Sequence, residues 1–279
     1  MKRFLLLVAL SILVNSMYAQ RLTGKVTNAE TGEILPYVNI GIVGSPYGTV
    51  SGLQGEFELY LPENEFVTDS IQFSSVGFES RKLAKNSTAI PLFLEIKLQP
   101  VDTKLAEVVV KPSFKNYETQ GNDNIKTKSA TNLALSDRPN QNLGSAIGRK
   151  FRTKRAAQLE KFRFFIAYND FDTVHFRINV YELSDGKPGA FLNQENILVE
   201  LFKHKQGWVT VDLSKYQIKV DDNFAVSAEW VYASGKGKLL RLPITIPSIG
   251  ATHFYKYGSQ NSWKKFPQMS SSMEVTLAW

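Results

Sequence analysis

The chain has 279 residues, of which 43% are hydrophobic and 12% aromatic, enough to bury one large core or two ordinary ones. It contains no cysteine, which excludes structural disulfides, thiolate chemistry and Cys-ligated zinc. The formal charge is +7, and +5 once Lys2 and Arg3 are set aside, leaving 31 basic against 26 acidic residues.

Residues 1–19 read as a secretory signal peptide. Lys2 and Arg3 give a positive start, Phe4 to Val14 an apolar run and Ala19 a small residue at the cleavage point. The apolar run is short for a membrane span, so no transmembrane helix is expected after its removal. The chain is expected to be exported, in the periplasm or associated with the outer membrane. No cysteine follows the run, so a Cys-anchored lipoprotein is not expected.

From residue 21 the pattern turns to short alternations. Leu22, Gly24 and Val26 share one face of a half-buried strand. "NAETGE" is turn chemistry, and "LPYVNIGIVG" places Val38, Ile40 and Ile42 on one face. "EFELYLP" turns Phe57, Leu59 and Leu61 inward; "DSIQFSSVGFES" does so with Ile71, Phe73 and Val76. "PLFLEIKLQP" closes the set with Phe93 or Leu94, Ile96 and Leu98. Six or seven short strands in about eighty residues predict a small antiparallel sandwich.

This stretch resembles the carboxypeptidase-regulatory-like domain family, a transthyretin-like β-sandwich of envelope proteins in Bacteroidetes-type bacteria. The likeness rests on Thr31-Gly32-Glu33 with Leu35-Pro36, Val38 and Ile40, then Gly48-Thr49, Gly55 with Phe57, and Val76-Gly77-Phe78. It covers residues 21 to about 100. One departure stands at Val50-Ser51-Gly52-Leu53-Gln54-Gly55, where the family carries Thr-Asp, so an altered local turn is expected. The resemblance implies a spacer or docking role without peptide chemistry. Such modules precede the plug of TonB-dependent receptors, just ahead of an "EVVV"-like segment, and "LAEVVVKP" stands here at 105–112. About 167 residues follow it, far too few for a plug and a twenty-two-stranded barrel.

The expected division is residues 20–105 for this module, 106–144 for a linker and 145–279 for a second β domain. The linker is rich in Asn, Ser, Thr and Lys, with little apolar periodicity. "GRKFRTKRAAQLEKFRF", 148–164, holds seven basic residues against Glu160, and a solvated loop and strand edge is the expected role. A nucleic-acid partner does not fit an exported protein. Eight strand-like runs follow, from "KFRFFIAYN" to "SMEVTLAW", and predict a two-sheet, jelly-roll-like sandwich. In "TVHFRINVYEL", Val174, Phe176, Ile178 and Val180 take one face; His175, Arg177, Asn179 and Tyr181 take the other. "GSAIG", "FRINVYELSDGKPG" and "GWVTVDLSKY" resemble the uncharacterised C-terminal region that follows the module in other Bacteroidetes envelope proteins. No activity is implied.

Catalytic patterns are scarce. His175, His204 and His253 show no metal-ligand spacing, although His175 lies near Asp170 and Asp172. There is no G-x-S-x-G and no Gly-rich phosphate loop. Glu182, Glu195, Glu200 and Glu229 are not brought together by any pattern. The expectation is therefore an exported, all-β, non-enzymatic protein without cofactor: a scaffold module plus a binding or adhesion module for glycan, peptidoglycan or an envelope protein. "FYKYGSQNSWKKF" interleaves rings with Lys and Asn, making Tyr255, Tyr257, Asn261, Trp263 and Lys264 the candidate ligand contacts. Trp230 in "SAEWVYA" reads as core. Met273, Val275, Leu277 and Trp279 alternate at the end, which keeps open a small outer-membrane barrel with a periplasmic N-terminal module. A hydrolase with a dispersed site is the remaining alternative.

Overall fold

The computed structural model describes residues 20–61, 70–83, 93–101, 114–135, 142–234 and 237–279. The signal peptide read at 1–19 and the "LAEVVVKP" segment at 105–112 lie outside the described residues. Within them the regular secondary structure is strand throughout, apart from one short 3-10 turn at Ser214–Tyr216, as the alternating pattern predicts.

The N-terminal module has seven strands: β1 (Gln20–Asn28), β2 (Asn39–Ile42), β3 (Gly48–Val50), β4 (Glu56–Leu61), β5 (Ile71–Ser74), β6 (Arg81–Leu83) and β7 (Phe93–Leu98). β1 lies between antiparallel β4 and parallel β7, and the second sheet runs β3-β2-β5-β6. The period-2 residues meet between the sheets, where Leu22, Val26, Ile40, Leu59, Phe73 and Leu98 are at most 2% exposed. In β7, Leu94 packs on this core and Phe93 is exposed. Gly24 is required by close approach, because a β-carbon there would strike the Phe57 ring and the Leu94 carbonyl. The divergent turn closes on its own backbone: Gly55 N–H donates to Gly52 O at 3.0 Å, and Gly52 N–H to Glu56 O at 2.7 Å.

The C-terminal region holds the remaining strands. They are β8 (Tyr117–Gly121), β9 (Ser129–Asn132), β10 (Ala146–Phe151), β11 (Ala157–Ile166), β12 (Tyr168–Asn169), β13 (Thr173–Ser184), β14 (Lys187–Phe191) and β15 (Ile197–Phe202). After these come β16 (Gly207–Asp212), β17 (Lys219–Val220), β18 (Phe224–Ala233), β19 (Leu240–Thr245), β20 (Thr252–Lys256), β21 (Lys264–Pro267), β22 (Ser270–Ser271) and β23 (Met273–Ala278).

One layer is a seven-stranded sheet in the order β14-β13-β18-β10-β20-β21, with β15 also pairing β13. The facing layer comprises the five-stranded sheet β16-β11-β23-β8, with β17 also pairing β11, and the adjoining β12-β19-β22, with β9 on β19. Phe162, Phe164, Phe176, Phe224, Val275 and Leu277 belong to the apolar cluster that fills the space between layers. The small-barrel alternative is corrected here: these sheets stack over an apolar interior and follow open strand orders, so the Met273–Leu277 alternation belongs to a strand paired on both sides within a sandwich. β8 and β9 arise inside the stretch read as linker. Few of their side chains are buried, which removes the apolar alternation a sequence reading depends on.

Candidate functional site

The most concentrated chemistry in the molecule lies where the module meets the seven-stranded sheet. Cross-strand register sets Arg177 of β13 opposite Glu229 of β18, Glu229 opposite Ala146 of β10, and Ala146 opposite Lys256 of β20. The alanine leaves room for Lys256 to reach across its strand. Glu229 Oε2 accepts from Arg177 Nε and Nη2, each at 2.9 Å, and from Asn179 Nδ2 at 2.8 Å. Its Oε1 accepts from Lys256 Nζ at 3.2 Å and from Asn39 Nδ2 of the module at 2.9 Å. Both Arg177 and Glu229 are 1% exposed. Burial alone would raise the Glu229 carboxyl, but Arg177 and Lys256 outweigh it and hold the group at about 2. A carboxylate so fully engaged is a structural anion, not a general acid or base.

The module is gripped at several further points. Arg177 Nη1 donates to the Tyr37 carbonyl at 2.8 Å, and the Tyr37 hydroxyl meets His175 Nδ1 at 2.7 Å. Burial pushes the Tyr37 hydroxyl up to about 12, with Glu200 and Tyr232 adding to the shift; burial also lowers His175. The loop after β20 clips β2. Ser259 Oγ donates to Ile40 O, Gln260 Nε2 donates to Asn39 O at 3.0 Å, and Gly44 N–H donates to Gln260 O at 2.9 Å. All four residues of β2 are consequently buried, where the sequence pattern accounts for one face only. Beside this contact a cleft of about 330 Å³ is lined by Arg21, Thr49, Glu56 and Glu58 of the module and by Leu143 and Tyr232 of the sandwich.

The residues expected to contact a ligand are spread over both sides of their sheet. Tyr255 packs against the main core, and burial raises its hydroxyl well above the usual phenol range. Tyr257 donates its hydroxyl to Asn142 Oδ1 at 2.7 Å. Trp263 packs on the opposite face, against Tyr181 at 5.7 Å and Phe254 at 6.4 Å between ring centroids, with Lys256 Nζ 5.6 Å from its ring. Asn261 Oδ1 accepts from Ser262 N–H, and Lys264 is exposed on β21. Trp230 is 5% exposed and belongs to the core, as its sequence setting predicts.

A second polar array lies on the outer face of the five-stranded sheet. Phe165 of β11 stands opposite Trp208 of β16, Arg163 between Thr210 and Glu274, and Lys161 between Asp212 and Thr276. The Arg163 guanidinium sits 4.3 Å from the Trp208 ring centroid and forms an ion pair with Glu274. Thr276 and Thr119 hydroxyls hydrogen-bond at 2.9 Å. A shallow groove of about 250 Å³ runs over Thr119, Lys161, Arg163, Thr210, Glu274 and Thr276. The alternation of β11 hints at this face, but its assembly from four strands distant in sequence is invisible to any local pattern.

The module's two sheets and their register meet what the Thr31–Phe78 motifs imply. Residues 22–110 match the CarboxypepD_reg-like domain family. Over 91 residues the chain is 29% identical to the TonB-dependent receptor P3 of Formosa agariphila, a match that covers 33% of this chain and 8% of that receptor. Solved structures similar over the whole chain are remote. A Bacteroides uniformis protein named for carbohydrate binding aligns at 8% identity and a TM-score of 0.22, covering 90% of this chain and 97% of that one. The major pilin subunit of Bacillus cereus aligns at 10% identity and a TM-score of 0.19, covering 90% and 69%. Overlap this low transfers no function. The CarboxypepD_reg-like domain thus accounts for the module and leaves the sandwich unassigned.

Proposed function

We propose that this is an exported cell-envelope protein in which the CarboxypepD_reg-like domain is fixed to a β-sandwich, the pair acting as a non-enzymatic recognition unit for glycan. The observation that carries the scaffold half is the buried Arg177–Glu229–Lys256 triad with Asn39 bound to its carboxylate. Such a polar contact discriminates strongly against misplaced docking, since any shift leaves buried charges unpaired. It favours a fixed relation between domains, which suits a scaffold that presents a binding surface. The signal-like residues 1–19 support export.

The test is to present the chain from residue 20 onward to immobilised glycans and peptidoglycan, while following release of soluble sugar. Retention without product release supports the proposal. Product release turns it into the hydrolase alternative, and the absence of any retention removes the glycan half and leaves the scaffold half.

A further inference from the structure

We infer that the outer face of the five-stranded sheet, β16-β11-β23-β8, is a binding site for a neutral saccharide, with Trp208 as its apolar contact. The inference rests on the recognition role proposed above and adds to it a location and a ligand class.

A pyranose ring carries apolar C–H faces and a rim of hydroxyls that each donate and accept. The face offers partners for both. Trp208 and Phe165, both partly exposed, meet edge to face with centroids 5.4 Å apart, so the indole is braced by its neighbour. Arg163 braces it further, 4.3 Å from the ring centroid, and is fastened at its other end to Glu274. The Arg163–Glu274 fork sets donors and acceptors side by side in the groove, the arrangement a pair of neighbouring hydroxyls requires. Thr210 stands opposite Arg163 and Thr276 lies two residues along β23 from Glu274; their hydroxyls, the latter bonded to Thr119, can each donate or accept.

Charge balance selects the ligand class. Lys161 and Arg163 are matched within the array by Asp212 and Glu274, so the face has no cation surplus with which to hold nucleic acid or a polyanionic glycan. The aromatic pair is flanked by threonines and charged groups, where a docked protein would call for a continuous apolar patch. A neutral sugar is left as the partner that uses both the rings and the hydroxyls.

The experiment titrates mannan, xylan and starch, then polygalacturonate and heparin, against the chain from residue 20 onward and three variants. Trp208→Ala removes the ring. Thr210→Lys, at an exposed position, crowds the groove without touching the core. Trp263→Ala reports on the loop that follows β20. The expected result is binding of at least one neutral polymer, weakened about tenfold or more by Trp208→Ala and by Thr210→Lys and unchanged by Trp263→Ala. Equal binding by the Trp208 and Thr210 variants overturns this site while the glycan reading survives. Loss only in Trp263→Ala moves the site to the loop. Preference for polygalacturonate or heparin overturns the ligand class, and no binding to any polymer ends this site together with the glycan half of the proposed function, leaving the scaffold half.

Discussion

Among the described residues the sandwich carries two arginine–glutamate pairs on the outward faces of its two layers, and their surroundings differ. Arg177–Glu229 lies beneath the CarboxypepD_reg-like module with both side chains 1% exposed, and each polar atom of the Glu229 carboxylate has several donors. Arg163–Glu274 lies on the opposite layer, with Arg163 38% exposed, a tryptophan beside it and a groove above it. The two pairs share the same cross-strand chemistry. One has been covered by a partner domain and serves to position it. The other is only partly covered, with the Glu274 side chain 13% exposed, so its ion pair contributes modestly to stability and keeps one side free to meet a ligand.

Breaking the covered pair gives the largest effect. Glu229→Gln leaves Arg177 and Lys256 buried without their anion and is expected to cost about 3–5 kcal/mol in urea unfolding. A double-mutant cycle with Asn39→Ala is expected to show coupling beyond additivity, because both residues meet at one carboxylate oxygen. A difference close to zero would mean that the module contributes nothing to the network.

Acid sharpens the same contrast. His253 is 2% exposed, its Nδ1 lacks a partner, and burial lowers it to about 4, partly offset by a hydrogen bond to the Gly148 backbone. The neutral ring is the folded form, so the unfolded chain binds the extra proton between pH 6.5 and 4. Stability is expected to fall by roughly 3 kcal/mol as pH drops through that window, and His253→Asn is expected to flatten it. Glu229 acts in a lower window. Its contribution is complete above its ordinary value of 4.5 and is lost as pH falls toward 2, so Glu229→Gln should abolish that second decline.

Gly144 tests shape instead of charge. It adopts a φ of +83°, and a β-carbon would strike the Ser259 backbone in the loop that clips β2. Gly144→Ala is expected to cost about 1–3 kcal/mol and to make the seam more open to limited proteolysis. The smallest stability effect belongs to the open pair. Arg163→Ala should cost about 1 kcal/mol or less, while still weakening retention of a neutral polysaccharide if the outer face is the ligand site. A large loss of stability there would mark the pair as structural after all.

Local pattern was enough for most strands of both regions, because alternate burial leaves a period of two in the residues themselves. It sufficed for Leu22 and Val26 in β1, for Phe57 to Leu61 in β4, and for the main-core face of β13. It did not suffice where both faces of a strand are covered. The second face of β13, His175 to Tyr181, has the polar composition of an exposed surface, yet all four residues are buried: Tyr37 of the module lies against His175 and Arg177, Asn179 binds Glu229, and Tyr181 is covered by Phe191 and Trp263. It also failed for β8 and β9, whose polar residues pair at sheet edges, and for β10, where "AIGRKF" sits between β18 and β20 within a basic run. In the "FYKYGSQNSWKKF" segment, composition placed aromatic rings near one another, but Tyr255 of β20 turns to the main core while Trp263, in the connection before β21, packs on the opposite face.

The sequence by itself therefore determined the all-β class, the CarboxypepD_reg-like module and the core faces of its strands, since each depends on neighbours a few residues apart. Only the tertiary structure decided that Glu229 would meet both Arg177 and Lys256, that Asn39 would join them from 190 residues away, and that Trp208, Arg163 and Glu274 would share a face. Those groupings arise from which strands lie side by side and which layer is covered. Both are set by long-range packing, in which a charged side chain looks the same in sequence whether it ends in solvent or beneath another domain.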